Sequence, residues 1–228
     1  MLTSICIATR NKSEYLARTL ASINGQSIPF DYEVIVVDDG STDATRAVCK
    51  MFDVNYIWLD NNRYRNPSVA RNVAYRAARG EVIINQSDEI IHKTNCVQQL
   101  TNGLKEGEIL FAHVLNVSLD GLSVSYPVYC GPENPRPLFF LGSLWRRDMY
   151  AIGGNSEDFV EPCYDDDWLA QCLINGLGLV PRYAEDIIGW HVAHGYVENA
   201  FSRMENSKTI YDKKCAARVF TNTPWEYK

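Results

Sequence analysis

The chain has 228 residues, of which 46% are hydrophobic and 22% charged, with a net charge of −6. This is ordinary globular usage, so it excludes disordered and collagen-like classes. The acidic excess lies in residues 81–180, which carry 14 acidic and 5 basic groups. Because no run of basic residues forms a stripe, we expect no nucleic acid partner.

The sequence predicts a soluble protein without a transmembrane segment. No apolar run approaches the roughly 18 residues of a transmembrane segment, and the first residues lack the basic leader and cleavage site of a signal peptide. The seven cysteines include no CxxC pair, which gives no support to a zinc ribbon or to thioredoxin chemistry. We interpret all of them as reduced structural residues and expect a cytoplasmic location.

The first half of the chain alternates short apolar runs with helical patterns. The runs are too short for helices and rich in β-branched residues, so they predict strands. These strands lie at residues 4–8, 32–37, 54–59 and 81–85. The helical patterns between them cover residues 13–25, 43–52 and 67–80. Repeats of this length imply a parallel sheet with right-handed crossovers.

The pattern is less regular beyond residue 93. The periodicity predicts helices at 94–104 and 164–175 and a final helix at 198–219. It predicts strands at 108–117 and 122–129, on either side of a turn at Asp120-Gly121, and one or two more within 178–193. Residues 130–137 contain three prolines and a glycine, which indicates a loop between the two halves.

Ligands of open parallel sheets bind beyond the carboxyl ends of the strands. That rule selects four segments, at residues 8–11, 38–41, 61–65 and 86–89. Two of them contain adjacent acids, Asp38-Asp39 and Asp88-Glu89, whose mutual repulsion a cation or a ligand N–H would relieve. For Asp38-Asp39, a turn and helix cap is an equally good interpretation. The sequence contains neither GxGxxG after the first strand nor GxxxxGK[ST], which disfavours a dinucleotide cofactor and a P-loop.

Five stretches of the sequence carry a combination of motifs. In the first half these are TSICIATRNKSEYLARTLASINGQ, YEVIVVDDGSTDATRAV and NPSVARNVAYRAARGEVIINQSDE. In the second half they are LWRRDMYAIGGNSEDF and YDDDWLAQCLINGLGL. Together the five stretches resemble family 2 glycosyltransferases of the GT-A fold, and the last two are similar to that family's acceptor-side pattern. The likeness covers residues 3 to about 194, and the combination of VVDDGSTD with its spacing to ARN makes it specific.

The resemblance implies an α/β GT-A domain over residues 1–228, with a Rossmann-like open mixed sheet flanked by helices. Residues 1–112 would form the nucleotide-sugar-binding half, and residues 113–228 the acceptor-binding half with the C-terminal helix. The implied reaction moves a sugar from a UDP-linked nucleotide-sugar donor to a hydroxyl of a glycan or another acceptor, with inversion and metal assistance. Membership of the family would make the protein an enzyme.

The resemblance also assigns residues to the nucleotide. Asp39 would accept a hydrogen bond from a uracil N–H, and Arg71 of the ARN segment would lie against the diphosphate or the base, where a guanidinium suits an oxyanion. The complete set of implied nucleotide-binding residues is Thr9, Arg10, Asp38, Asp39, Arg71 and Asp88.

A divalent cation, Mn²⁺ or Mg²⁺, is the implied cofactor. The family's D-x-D motif is replaced here by Ser87-Asp88-Glu89, in which Glu89 is the expected metal ligand and Asp88 can substitute after a shift of one residue. His191 is the implied third ligand and His194 its neighbour on the same segment. We interpret His92 and His113 as structural.

The acids at 165–167 open the predicted helix at 164–175. An acidic first turn is favoured by the helix dipole, but three consecutive carboxylates exceed that need. The resemblance makes Asp166 the general base for the acceptor hydroxyl and Asp165 its orienting partner. Burial and neighbouring carboxylates would raise the pKa of such a base. Trp168 is equally compatible with stacking on an acceptor sugar and with a place in the core.

Two alternatives remain open from the sequence. A sugar nucleotidyltransferase has a related sheet, but it would need a glycine-rich basic loop after the first strand, and residues 8–12 contain no glycine. A catalytically silent nucleotide-sugar binding module is compatible with the altered D-x-D motif.

Overall fold

The computed structural model describes residues 1–118, 124–194 and 200–226, and within these it describes no side chains for residues 124–129, 200 and 201. Its strands are β1 (Thr3–Thr9), β2 (Tyr32–Asp38), β3 (Asn55–Trp58), β4 (Val82–Ser87), β5 (Ile90–His92), β6 (Glu108–Val117), β7 (Val124–Cys130), β8 (Leu141–Trp145) and β9 (Val180–Val192). Its helices are α1 (Ser13–Asn24), α2 (Thr45–Cys49), α3 (Ser68–Ala77), α4 (Cys96–Gly103), α5 (Arg146–Ala151), α6 (Asp165–Gln171) and α7 (Ala200–Ala217).

All described strands belong to one mixed sheet. Its order is β3-β2-β1-β4-β8-β6-β9-β5, with β7 paired to β6. The first four strands in this order are mutually parallel, as the strand–helix repeats predict. Beyond them the sheet becomes mixed, because β8 runs antiparallel to both β4 and β6. The predicted open mixed α/β sheet is therefore confirmed.

The parallel strands form the core because both of their faces are covered. Ile5 and Ile7 of β1 and Ile35 of β2 have no exposed surface, which explains why these strands read as continuous apolar runs without alternation. Helices α1 and α3 pack over them with the apolar positions that the helical spacing predicts, such as Leu16 and Leu20. The carboxyl ends of these strands therefore meet at one edge of the sheet.

Most predicted elements of the second half occur with small shifts. The predicted helix at 164–175 divides into α6 and a following π-helical turn at Cys172–Gly176. Residues 180–192 form one strand, β9, and its register with β6 shifts between Ala112 and His113. The turn predicted at Asp120-Gly121 lies outside the described residues.

The segment after α7 packs back onto the domain. The Asn222 backbone N–H donates to the carbonyl of Ile152 over 2.9 Å, and that of Trp225 donates to the carbonyl of Tyr150 over 2.9 Å. The Trp225 ring also lies under the guanidinium of Arg76, 4.2 Å from its centroid. Within the described part of the chain, no helix is long and apolar enough to cross a bilayer.

Candidate functional site

A cavity of about 500 Å³ lies at the carboxyl ends of the parallel strands. All four segments selected from the sequence contribute to its wall, as do residues before and within α6. Its lining comprises Ala8, Thr9, Arg10, Asn11, Lys12, Asp39, Tyr64, Arg65, Asn66, Pro67, Ala70, Arg71, Gln86, Ser87, Asp88, Glu89, Phe140, Pro162, Cys163, Asp165, Asp166 and His194. Most of the predicted site residues therefore share one cavity, and Asp38 and His191 are the two that do not line it.

One end of the cavity is built around Asp39. Its buried carboxylate accepts a hydrogen bond from Nε of Arg65 at 3.0 Å and one from Nδ2 of Asn61 at 2.9 Å. Arg10 donates from Nη1 to the carbonyl oxygen of Asp39 over 2.7 Å. Thr9 ends β1 beside this group, where its carbonyl accepts from the Asp39 backbone N–H at 2.9 Å. The carboxylate predicted to read a nucleobase is thus paired with an arginine.

Asp38 has a different environment from its neighbour. One carboxylate oxygen accepts from the backbone N–H of Ser41 at 2.8 Å, and the other accepts from the hydroxyl of Tyr56 at 2.7 Å. These contacts hold the turn between β2 and α2, which is the turn-and-cap interpretation. The structure therefore favours a structural role for Asp38, and its contact with nucleotide stays a prediction.

A second part of the site joins Glu89 to two histidines at the end of β9. Nε2 of His191 lies 3.1 Å from Oε1 of Glu89, and Nε2 of His194 lies 3.6 Å from the same oxygen. The three potential ligand atoms lie within 4.8 Å of one another. One carboxylate and two imidazoles suit Mn²⁺ better than Mg²⁺, which prefers oxygen ligands, so these residues fit the implied cofactor. His191 belongs to this cluster although it lies behind the cavity wall.

Lys12 is the cation nearest to the acids of this cluster. Its Nζ lies 2.8 Å from Oε2 of Glu89 and 3.3 Å from Oδ1 of Asp88. Burial alone would raise the pKa of Glu89, but hydrogen bonds with Asp88, His191 and His194 and the Lys12 charge hold it well below its usual range. Burial raises the pKa of Asp88 to about 8, with Lys12 opposing the shift and Glu89 adding to it. The two acids therefore carry about one negative charge between them at neutral pH.

The acidic first turn of α6 forms the other end of the cavity. Nη1 of Arg71 lies 2.6 Å from Oδ1 of Asp166 and 3.1 Å from Oδ2 of Asp165. Burial raises the pKa of Asp166 to about 6, the Arg71 charge opposes the shift, and Asp165 and Asp167 add to it. Arg71 thus contacts the predicted general base, Asp166, and its orienting partner, Asp165, whereas the sequence predicted that it would contact a diphosphate or a nucleobase. Asp167 instead faces outward, where Nη2 of Arg136 lies 3.3 Å from its Oδ1.

Backbone geometry and buried contacts fix the position of α6. Cys163 and Tyr164, which precede it, have φ of 71° and 63°, a left-handed conformation that costs about 1 kcal/mol or more per residue. The ring of Trp168 is buried in the core, and its Nε1 donates to Oδ1 of Asn222 over 3.1 Å. Trp168 is therefore a core residue and not a sugar platform. All seven cysteines are free, as expected for reduced residues, and Cys163 is exposed.

Asn72, which follows Arg71, connects α3 to the segment that contains Gly153 and Gly154. Asn72 donates from Nδ2 to the carbonyl of Asn155 at 2.9 Å and to Oε1 of Glu157 at 2.8 Å. Its Oδ1 accepts from the Asn155 backbone N–H at 2.8 Å. A Cβ at Gly154 would lie 2.4 Å from that same Oδ1. The ARN and GGNSE motifs therefore form one packed unit behind the site.

Sequence comparison identifies the family. The pattern described as Glycosyl transferase family 2 matches residues 4–148, which is more than half of the chain. The chain belongs to this family. The match includes the Asp39, Arg71 and Glu89 segments, while the Asp165-Asp166 turn lies beyond it.

Curated glycosyltransferases match parts of the chain. Validoxylamine A glucosyltransferase of Streptomyces hygroscopicus subsp. limoneus is 38% identical over 87 residues, covering 36% of this chain and 19% of that protein. The poly(ribitol-phosphate) β-N-acetylglucosaminyltransferase TarP of Staphylococcus aureus is 28% identical over 152 residues, covering 64% of this chain and 43% of that protein. The chain spans about a fifth to a quarter of the length of the first relatives it matches.

Solved structures of two glycosyltransferases show the same fold. S. aureus TarS residues 1–349 in complex with UDP aligns with a TM-score of 0.68 at 18% identity, covering 85% of this chain and 61% of that one. The mannosyltransferase PcManGT of Pyrobaculum calidifontis, in complex with GDP-Man and Mn²⁺, aligns with a TM-score of 0.67 at 17% identity, covering 95% of this chain and 64% of that one. The GT-A fold expected from the sequence is confirmed.

Proposed function

We propose that this protein is a glycosyltransferase that moves a sugar from a UDP-linked donor to an acceptor hydroxyl with inversion. The observation that carries the proposal is the composition of one cavity. It holds a buried acid–arginine pair at Asp39, an acid–imidazole cluster at Glu89 and a carboxylate with a raised pKa at Asp166. These are the groups needed to read a base, to neutralise a diphosphate and to deprotonate a hydroxyl. UDP in the TarS neighbour supports the choice of nucleotide.

We assign nucleotide recognition to the Asp39 end. The Asp39 carboxylate would accept from a uracil N–H after Arg65 exchanges partners, since Arg65 now occupies both of its oxygens. Arg10 and Thr9 hold the loop that carries this acid. A carboxylate distinguishes the uracil N3–H from the acceptor N3 of cytosine, because it can only accept hydrogen bonds.

Glu89, His191 and His194 would hold the divalent cation. When bound, the cation neutralises charge on the leaving diphosphate. Lys12 brings a further positive charge to the same place from the protein itself, 2.8 Å from Glu89. Alanine variants of His191 and His194 test the ligand set, with Mn²⁺ affinity measured by titration calorimetry in the presence of UDP. Loss of affinity in neither variant would refute this assignment.

Asp166 would act as the general base. Its raised pKa makes it a better proton acceptor than an ordinary carboxylate, and at neutral pH it is still mostly ionised. Arg71 bonds to both Asp166 and Asp165, so it orients the base and limits how far its pKa rises. Direct attack by the deprotonated acceptor on the anomeric carbon gives inversion.

Nucleotide binding tests the proposal first. Thermal shifts with UDP, GDP and CMP, each with Mn²⁺, report relative affinity, and a ligand at a hundred times its Kd stabilises by about 2.7 kcal/mol. We expect the largest shift with UDP, and equal shifts would refute the uridine assignment. UDP release from UDP-sugars, measured with and without sugar acceptors, then separates transfer from silent binding and from nucleotidyl transfer.

A further inference from the structure

A chain of hydrogen bonds runs from helices α1 and α4 to Gln86, which lines the cavity. It begins at Val97, whose backbone N–H donates to Oε1 of Gln26 over 3.1 Å. The other end of this amide, Nε2, donates to the carbonyl oxygen of Ser22 over 3.1 Å. Because an N–H can only donate and a carbonyl can only accept, these two contacts fix which end of the Gln26 amide is nitrogen.

The orientation of Gln26 determines the tautomer of His92. Nε2 of Gln26 lies 2.7 Å from Nδ1 of His92, so Nδ1 must accept and carries no hydrogen. Burial lowers the pKa of this histidine to about 3, so the ring is neutral near pH 7. A neutral imidazole has one N–H, which is then on Nε2. That nitrogen lies 2.9 Å from Oε1 of Gln86, to which it donates.

Donor and acceptor roles also determine the orientation of the Gln86 carboxamide. Its oxygen accepts from His92, so its Nε2 is turned away from the histidine with two hydrogens to donate. Gln86 is 1% exposed, and its Nε2 has no hydrogen-bond partner among the residues that the structure describes. A buried donor without an acceptor costs free energy. Gln86 also lines the cavity, two residues before Asp88 on β4.

We propose that the carboxamide of Gln86 donates a hydrogen bond to a hydroxyl of the transferred sugar and so contributes to donor specificity. The proposal rests on the proposed function, which places the diphosphate at Glu89 and Lys12 and the base at Asp166. The transferred sugar must lie between those two points. Gln86 lies in the middle of the sheet there, on β4, with Ile7 of β1 on one side and Leu141 of β8 on the other.

The chain through His92 gives this contact its directionality. Without it the Gln86 amide would be free to flip and to present its oxygen, which would accept from a sugar hydroxyl rather than donate. With Gln26 and His92 in place, only the donor end faces away from the histidine. The structure thus presents a donor of fixed orientation, which favours a sugar oxygen able to accept.

The test compares two ligands in two variants. The Kd of UDP and of UDP-N-acetylglucosamine or UDP-glucose, each with Mn²⁺, is measured by calorimetry for the wild type, Gln86→Leu and the control Gln98→Leu on α4. We expect Gln86→Leu to weaken the UDP-sugar by about three- to tenfold, the effect of one lost hydrogen bond, and to leave UDP unchanged. Gln98→Leu changes neither.

Three other results have clear meanings. Equal losses for UDP and the UDP-sugars would place the contact on the nucleotide and overturn the proposal, as would no loss for either. If the wild type binds no UDP, the proposed function itself has failed. Should Gln86→Leu fail to fold, the ¹⁵N-labelled Gln86 side-chain amide of the wild type gives the answer. Its signals must shift with the UDP-sugar beyond their shift with UDP, and equal shifts refute the proposal.

Discussion

Replacing Asp166 by asparagine should abolish sugar transfer while leaving UDP binding nearly unchanged. The two side chains have the same shape, so α6 keeps its first turn, but the amide cannot take the acceptor's proton. A lost general base typically reduces the rate by about 10²- to 10⁴-fold. In the proposed function the Asp39 and Glu89 parts of the cavity hold the nucleotide, and among the described residues no hydrogen bond or ion pair joins either acid to Asp166.

The stability of this variant follows from the ion pair with Arg71. Removing one partner of a buried pair typically costs about 3–5 kcal/mol, because it leaves a charge uncompensated. Here Asp165 remains 3.1 Å from the same guanidinium nitrogen, so Arg71 keeps an anionic partner. We therefore expect a loss of about 1.5–3 kcal/mol, as for a lost hydrogen bond to a charged group. Asp167→Asn is the matched control, since that acid pairs with the exposed Arg136 and should change stability by less than about 1 kcal/mol.

The assay measures the initial rate of transfer at saturating donor together with UDP affinity and urea unfolding for each variant. The pH profile of the wild type gives an independent measure, because only the ionised Asp166 accepts a proton. Its pKa of about 6 predicts a rate that rises with pH through about 6. Full activity of Asp166→Asn at pH 7 would refute the reasoning and move the base to a neighbouring carboxylate.

Three further predictions concern charge and packing. Arg71→Gln removes the charge that limits the pKa of Asp166, so the rising limb of the pH–rate profile should move to higher pH; an unchanged limb would contradict the pairing. In urea unfolding, Gly154→Ala should lower the free energy of unfolding far more than Gly178→Ala. Both glycines have positive φ, but a Cβ at Gly154 would lie 2.3 Å from the nearest atom, whereas a Cβ at Gly178 would have no atom within 4 Å. Equal losses of stability would contradict this packing argument. His92 is neutral when folded and protonates below about pH 6.5 when unfolded, so stability should fall towards pH 5 by about 1.4 kcal/mol per pH unit. His92→Asn should lose that dependence.

The sequence predicted which strand-end segments line the cavity, because strand ends are local features. Short apolar runs fixed β1, β2 and β4, and the rule for parallel sheets then selected the segments that carry Asp39 and Glu89. The acidic turn at 165–167 was found by its excess of charge. None of these steps required knowledge of which distant segments meet.

The residues that were missed are those whose partners lie far along the chain. Lys12 and Arg65 are ordinary loop residues in sequence, and only the tertiary structure brings them to Glu89 and Asp39. His194 was named only as the neighbour of His191, and the structure places it beside Glu89 as well. Arg71 was recognised as a functional arginine, but its residue type suits a carboxylate as well as a phosphate. The contact with Asp165 and Asp166 therefore had to come from the structure.

The long-range pairs across the cavity have a consequence for folding. Arg71 and Asp166 are 95 residues apart, and Glu89 and His191 are 102 apart. Closing loops of this length carries an entropic cost that local contacts do not, and non-local contacts slow folding. The Asp39 part of the cavity needs only residues 9–65, which lie in the first third of the chain, whereas Asp166 and the two histidines come from the last third. We expect helical circular dichroism to recover before Mn²⁺-dependent nucleotide binding during refolding, so the chain would pass through a helical state that is not yet an enzyme.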